Sequence, residues 1–137
     1  MDDHVSLRPV VLCIEDDAIN LRLMKLIFEQ RPAIRLVIAV NGRLGLELAR
    51  EDHPDLILLD LQLPDMSGDE VLIRLRQDPD LRHTPVLVVS AQAYAEDVER
   101  LMAAGVQGYV TKPIDVAHFL VQLDAVLPPR FDGRLEG

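Results

Sequence analysis

The sequence predicts an α/β domain, a parallel sheet with helices packed on both of its faces. Three observations predict it. Five short aliphatic runs alternate with five amphipathic stretches along the chain, so that each strand is followed by a helix. Runs such as Leu56-Ile57-Leu58-Leu59 lack the apolar–polar alternation of a half-solvated strand and read as buried on both faces. Turn signals punctuate the elements: Arg31-Pro32, Asn41-Gly42, His53-Pro54, Pro64-Asp65, Thr84-Pro85 and Gly105.

The first strand is residues 10–14, VVLCI, and Asp17 is placed to cap the helix that follows at 18–30. A second strand at 36–40 ends in the Asn41-Gly42 turn, before a helix at 42–50. The third strand, 56–59, leads through Pro64 and Gly68, which supply fixed and permissive backbone, to a helix at 69–77. Strand 86–89 precedes a helix at 93–104, closed by Gly105. Strand 106–110 precedes the last helix, 115–126, which Pro128-Pro129 ends. The expected domain is residues 8–127, with short flexible termini at 1–7 and 128–137 and no internal repeat.

Composition excludes several classes of function. At 137 residues, 49% hydrophobic and 27% charged, the chain is of a size and balance to build one core. The net charge of −9 repels phosphate backbones and argues against direct nucleic-acid binding. No apolar run reaches the ~18–20 residues that span a bilayer, so no membrane insertion is expected. The N-terminal MDDHVSLR is acidic where a signal peptide is basic, which predicts a cytoplasmic protein. Cys13, the lone cysteine, lies within an apolar strand and reads as an inert core thiol, while His4, His53, His83 and His118 show no ligand spacing.

The chemistry gathers at one edge. In an open α/β sheet, ligands bind beyond the carboxyl ends of the strands. The first strand is followed by Glu15-Asp16-Asp17, the third by Asp60, the fourth by Ser90, and the fifth by Thr111-Lys112-Pro113. Carboxylates converging there repel one another unless a hard divalent cation sits among them, and Mg²⁺ suits a few carboxylates plus a phosphoryl oxygen. Asp60 then becomes an oxygen nucleophile for phosphoryl transfer. Lys112 and the Ser90 hydroxyl are placed to bind the other phosphoryl oxygens.

The pieces IEDD (14–17), LLDLQLPDMSG (58–68), VVSA (88–91) and GYVTKP (108–113) together resemble the receiver domain of two-component response regulators. The resemblance implies a doubly wound, flavodoxin-like or CheY-like sheet of order 2-1-3-4-5. It implies that Asp60 is phosphorylated by a histidine kinase or histidine phosphotransfer protein. By the same resemblance, Asp16, Asp60 and the Gln62 main-chain carbonyl bind Mg²⁺ directly, and Glu15 binds it through water. Tyr109 falls where the family carries its switch aromatic, turning inward as Ser90 moves toward the phosphoryl group. The family pattern also implies a cis Lys112-Pro113 bond, and Gln62 and Gln92 flank the phosphoryl position. A receiver catalyses only its own phosphorylation and dephosphorylation, so it is not expected to be an enzyme in the ordinary sense.

Two other readings compete. A phosphohydrolase of the haloacid dehalogenase type also uses a strand-end aspartate with Mg²⁺, but resembles Asp-x-Asp; here Asp60-Leu61-Gln62 lacks the second acid. An unphosphorylated interaction module would not need the full set Glu15, Asp16, Asp60, Ser90 and Lys112. No phosphate-cradling glycine motif follows any strand, which disfavours nucleotide binding. Asp55 is expected to make a local turn bond, and Asp65 to shape the loop after Asp60. On the first helix, Arg22, Lys25 and Glu29 mark solvent and Asn20, Leu23, Met24 and Ile27 face the sheet. Ile19 and Leu26 fall on a shoulder, covered by a neighbouring helix or free to dock a donor's helix. Oligomeric state is open from sequence.

Overall fold

A computed structural model describes residues 8–91 and 94–127. The termini expected to be flexible (1–7 and 128–137) and the Gln92-Ala93 pair lie outside the described residues. In chain order the elements are β1 (Val10–Ile14), α1 (Ala18–Phe28), β2 (Arg35–Ala39), α2 (Gly42–Asp52) and β3 (Leu56–Asp60). They continue with α3 (Gly68–Gln77), β4 (Val86–Ser90), α4 (Ala95–Ala103), β5 (Gly108–Thr111) and α5 (Val116–Val126). The five strands pair in parallel in the order β2-β1-β3-β4-β5. The parallel strands are those the alternation called for, and their doubly wound order is the one the resemblance implied.

Strand periodicity divides the core between the two faces. Leu12, Ile14, Ile57, Leu59, Val86 and Val88 pack against the side covered by α2, α3 and α4. Val11, Cys13, Leu56, Leu58, Leu87, Val89 and Val110 point the other way, toward α1 and α5. Every residue of β3 and β4 is buried, which is why neither strand shows alternation in sequence. Phe28 and Phe119 meet edge to face at 6.3 Å, joining α1 to α5, and Arg31 in the following turn pairs with Asp124 of α5 at 2.7 Å. Cys13 is buried and its thiol is pushed up to about 12, mainly by loss of solvent, as an inert core thiol requires.

The element boundaries move for identifiable reasons. The α1 helix stops at Phe28 because the amides of Gln30 and Arg31 bond back three residues, to Ile27 and Phe28, tightening the last turn. β2 begins at Arg35, whose amide donates to the Pro9 carbonyl at 2.8 Å and sets it opposite Val10. β5 begins at Gly108, since Val106 is buried at the end of the preceding turn. The turn itself holds Gly105 at φ +92°, a conformation an L side chain resists.

Helix capping is uneven. Asp17, Asn41, Ser67 and Asp115 each accept a backbone N–H at the start of α1, α2, α3 and α5. The α4 helix starts at Tyr94 with no side-chain cap, and Leu101 is its only buried residue. The expected role of Asp17 is therefore met. Asp55, by contrast, makes no local turn bond: its carboxylate accepts the Val10 amide at 2.8 Å, tying β3's entry to β1. No helix among the described residues is long and apolar enough to cross a membrane.

Candidate functional site

Register brings the chemistry together. Ile14 lies opposite both Ala39 and Leu59, so Glu15 and Asp60 leave neighbouring strands at the same height. Glu15 remains anchored, its amide donating to the Ala39 carbonyl at 2.9 Å. Ser90 closes β4 opposite Thr111, and the Lys112 amide donates to the Ser90 carbonyl at 2.9 Å. Glu15, Asp60 and Ser90 are the buried polar residues among those described, while Asp16 is exposed at the rim.

Carboxylate oxygens of Glu15, Asp16 and Asp60 lie within 4.8 Å of one another. The Lys112 ammonium stands 2.9 Å from Glu15 Oε1 and 3.3 Å from Asp60 Oδ2. One cation thus pairs with two of the three carboxylates. Burial, followed by the hydrogen-bonded Asp60 carboxyl, pushes Glu15 up to about 7. Lys112 loses solvent, which lowers its pKa, but bonding to Glu15 and the Asp60 charge win and raise it. A cluster of hard oxygens with more negative charge than the chain can balance fits a hard divalent ion. The donor set suits Mg²⁺.

The loop after β3 frames this cluster. The Gln62 amide donates to Asp60 Oδ1 at 3.1 Å, and the Gly68 amide to the Leu61 carbonyl at 2.8 Å. Gln62 and Ser67 form an isolated antiparallel bridge across the loop. Gly68 matters here for space rather than for unusual backbone: a Cβ at that point would lie 2.5 Å from the Asp60 carbonyl oxygen. Pro64 is exposed at the loop's outer side, and the Lys112-Pro113 peptide is cis. Tyr109 is half-buried and packs against the cluster beneath α2, α3 and α4. Gln92 lies outside the described residues.

One feature was not foreseen, and one open alternative is decided. Asp65 spans to the start of α2, its Oδ1 accepting the Gly42 amide at 2.8 Å and its Oδ2 the Arg43 amide at 2.9 Å. The sequence signal was the Asn41-Gly42 pair, a helix start as much as a turn. On α1, Ile19 is 78% exposed and Leu26 53%, so among the described residues no neighbouring helix covers the shoulder.

Residues 11–124 match the response regulator receiver domain family. The chain is 40% identical over 117 residues to the polar-differentiation response regulator DivK of Brucella ovis, spanning 85% of this chain and 94% of that protein. The signal receiver domain of a Luxo repressor protein from Vibrio parahaemolyticus superposes with a TM-score of 0.82 at 28% identity, covering 95% of this chain and 98% of that one. The receiver domain of a Pseudomonas aeruginosa sensor histidine kinase, which holds a magnesium ion in its active-site cleft, has the same fold. It superposes with a TM-score of 0.78 at 24% identity, covering 87% of this chain and 97% of that one.

Proposed function

The chain belongs to the response regulator receiver domain family, and on that premise we propose that it is a Mg²⁺-dependent phosphoacceptor switch acting through Asp60. The observation that carries the reading is the position of Asp60: buried at the end of β3, between Glu15 and Lys112, in a three-carboxylate cluster. The donor is a phosphohistidine of a histidine kinase or histidine phosphotransfer protein. An Asp60 carboxylate oxygen attacks phosphorus; the new O–P bond forms as the P–N bond breaks, and the electron pair leaves with the imidazole. Asp16, Asp60 and the Gln62 main-chain carbonyl would hold Mg²⁺, with Glu15 reaching it through water, and the ion would supply charge that offsets repulsion between carboxylate and phosphoryl oxygens.

The chain's own groups then read the new charge. Lys112 already touches Asp60 Oδ2 and needs only a small shift to pair with a phosphoryl oxygen. The Ser90 hydroxyl moves toward the phosphoryl group, and Tyr109 turns inward into the space it leaves. Burial of Asp60 and Glu15 keeps these interactions strong by excluding water. The switch acts on itself and turns over no separate substrate. The cytoplasm is its expected compartment.

Acetyl phosphate tests the reading without a protein donor. Incubation with Mg²⁺ should add one phosphoryl group, detected by intact-mass spectrometry and mapped to Asp60, and EDTA should abolish the labelling. Full labelling in EDTA, or labelling elsewhere, would contradict it.

The exposed shoulder of α1 supplies the donor's docking point. Ile19 stands two residues beyond Asp17 in the first turn of α1, with a side chain left 78% exposed among the described residues. Apolar anchors on a helix face are a standard way to seat a partner helix. Ile19→Lys should slow phosphotransfer from the cognate protein donor about tenfold, roughly the cost of losing one anchor, and leave acetyl phosphate labelling near wild type. Equal losses with both donors would place the damage in the fold rather than the interface.

A further inference from the structure

The loop that follows Asp60 is held at two places. Its base is closed by the Gln62–Ser67 bridge and by the Gly68 amide on the Leu61 carbonyl. Its tip is fixed to a different part of the chain, because both oxygens of Asp65 take backbone N–H groups at the start of α2. Met66, next in the loop, packs against that helix start so closely that a Cβ on Gly42 would lie 2.5 Å from its Cγ. The two amides also hold the Asp65 carboxyl below its ordinary range, so the carboxylate stays charged across neutral pH. The first turn of α2 does not need Asp65 for its cap, since Asn41 Oδ1 already accepts the Leu44 amide at 2.8 Å.

We infer that Asp65 is a positioning residue for the cation site: by clamping the loop tip to α2, it fixes Gln62 and the main-chain carbonyl that faces the cation. The inference rests on the phosphoacceptor reading above, which assigns that carbonyl to Mg²⁺. Freeing the tip leaves Gln62 held only at the loop's base, by the bridge to Ser67 and the bond of its amide to Asp60 Oδ1. Supporting groups behind metal ligands typically change affinity by about 10- to 100-fold, and a restraint acting through backbone belongs at the lower end.

The test is a Mg²⁺ titration of the full chain followed by amide NMR shifts at Asp16 and Asp60. Asp65→Ala should raise the Mg²⁺ dissociation constant about tenfold, and Asp65→Asn, which keeps one acceptor oxygen, should raise it less. Asn41→Ala provides the control, because it weakens the same helix start without touching the loop. It should lower the thermal midpoint as Asp65→Ala does, yet bind Mg²⁺ like the unaltered chain. An unchanged dissociation constant in Asp65→Ala would overturn the inference, as would an equal rise in Asn41→Ala. Failure of the unaltered chain to bind Mg²⁺ would overturn the phosphoacceptor reading and this inference together.

Discussion

Asp60→Asn is expected to abolish labelling by acetyl phosphate while leaving the fold intact and, without metal, more stable at neutral pH. The amide keeps the carboxylate's shape and an oxygen for the Gln62 amide, but it is no longer a nucleophile. Lys112 retains its bond to Glu15 at 2.9 Å, so the substitution leaves no buried cation alone. The stability effect follows from Glu15. Its folded pKa of about 7 lies above the ordinary 4.5, so between those values the folded chain holds more protons than the unfolded one. Stability in EDTA therefore falls as pH rises through that window: the favourable contribution is complete below about 4.5 and gone above about 7. Neutralising Asp60 removes the second-largest cause of the upward shift. The variant should gain stability at pH 7, read from urea midpoints, and its Glu15 carboxyl should titrate lower by NMR. An Asp60→Asn chain that still takes phosphate, or loses stability at pH 7, would contradict this.

The second large effect is expected at Gly68. A methyl group there would meet the Asp60 carbonyl oxygen at 2.5 Å and the Leu61 Cα at 2.6 Å. Both are backbone atoms, so neither can swing aside as a flexible side chain would. Gly68→Ala should cost about 1–3 kcal/mol through overpacking and displace the Asp60 peptide. Misplacing a reacting group by roughly 1 Å can cost about 100-fold in rate, and labelling should slow by about 10- to 100-fold. Gly105→Ala is the informative comparison. Nothing lies within 4 Å of a Cβ there, and the penalty comes only from φ +92°. It should lower stability by about 1 kcal/mol while labelling proceeds at the wild-type rate. Similar labelling in both variants would mean the Asp60 peptide is not under the steric control described.

Much of this was legible in the order of residue types. Glu15-Asp16, Asp60, Ser90 and Lys112 each end or directly follow a strand, and a parallel sheet necessarily brings such ends to one edge. The apolar runs at β1, β3 and β4 were legible for the same reason, since strands buried on both faces leave unbroken aliphatic stretches. What escaped sequence reading was partnership at a distance. Asp55 looked like a turn former, yet its partner is Val10, 45 positions away. Asp65 looked like a loop former, yet it reaches 22 and 23 positions back to Arg43 and Gly42. Gly68 was read as conformational freedom, and its actual reason is a backbone approach that no local pattern encodes. The shoulder of α1 also could not be settled from helical angles alone, because coverage of Ile19 and Leu26 depends on where the neighbouring helix lies.

The uncapped start of α4 has a consequence for how a signal spreads. Four helices have a side chain capping their own first turn; α4, preceded by Tyr94, has none and sinks a single residue, Leu101, into the core. Little of the free energy that keeps the protein folded is therefore held in the helix that follows the Ser90 strand. If Asp60 is the phosphoacceptor proposed above, a rearrangement at Ser90 would reach that helix without loosening the sheet beneath it. The outer surface of α4 would then change shape while the strand-end cluster stayed rigid, so reception and announcement of a signal would make opposite mechanical demands on different parts of one small domain.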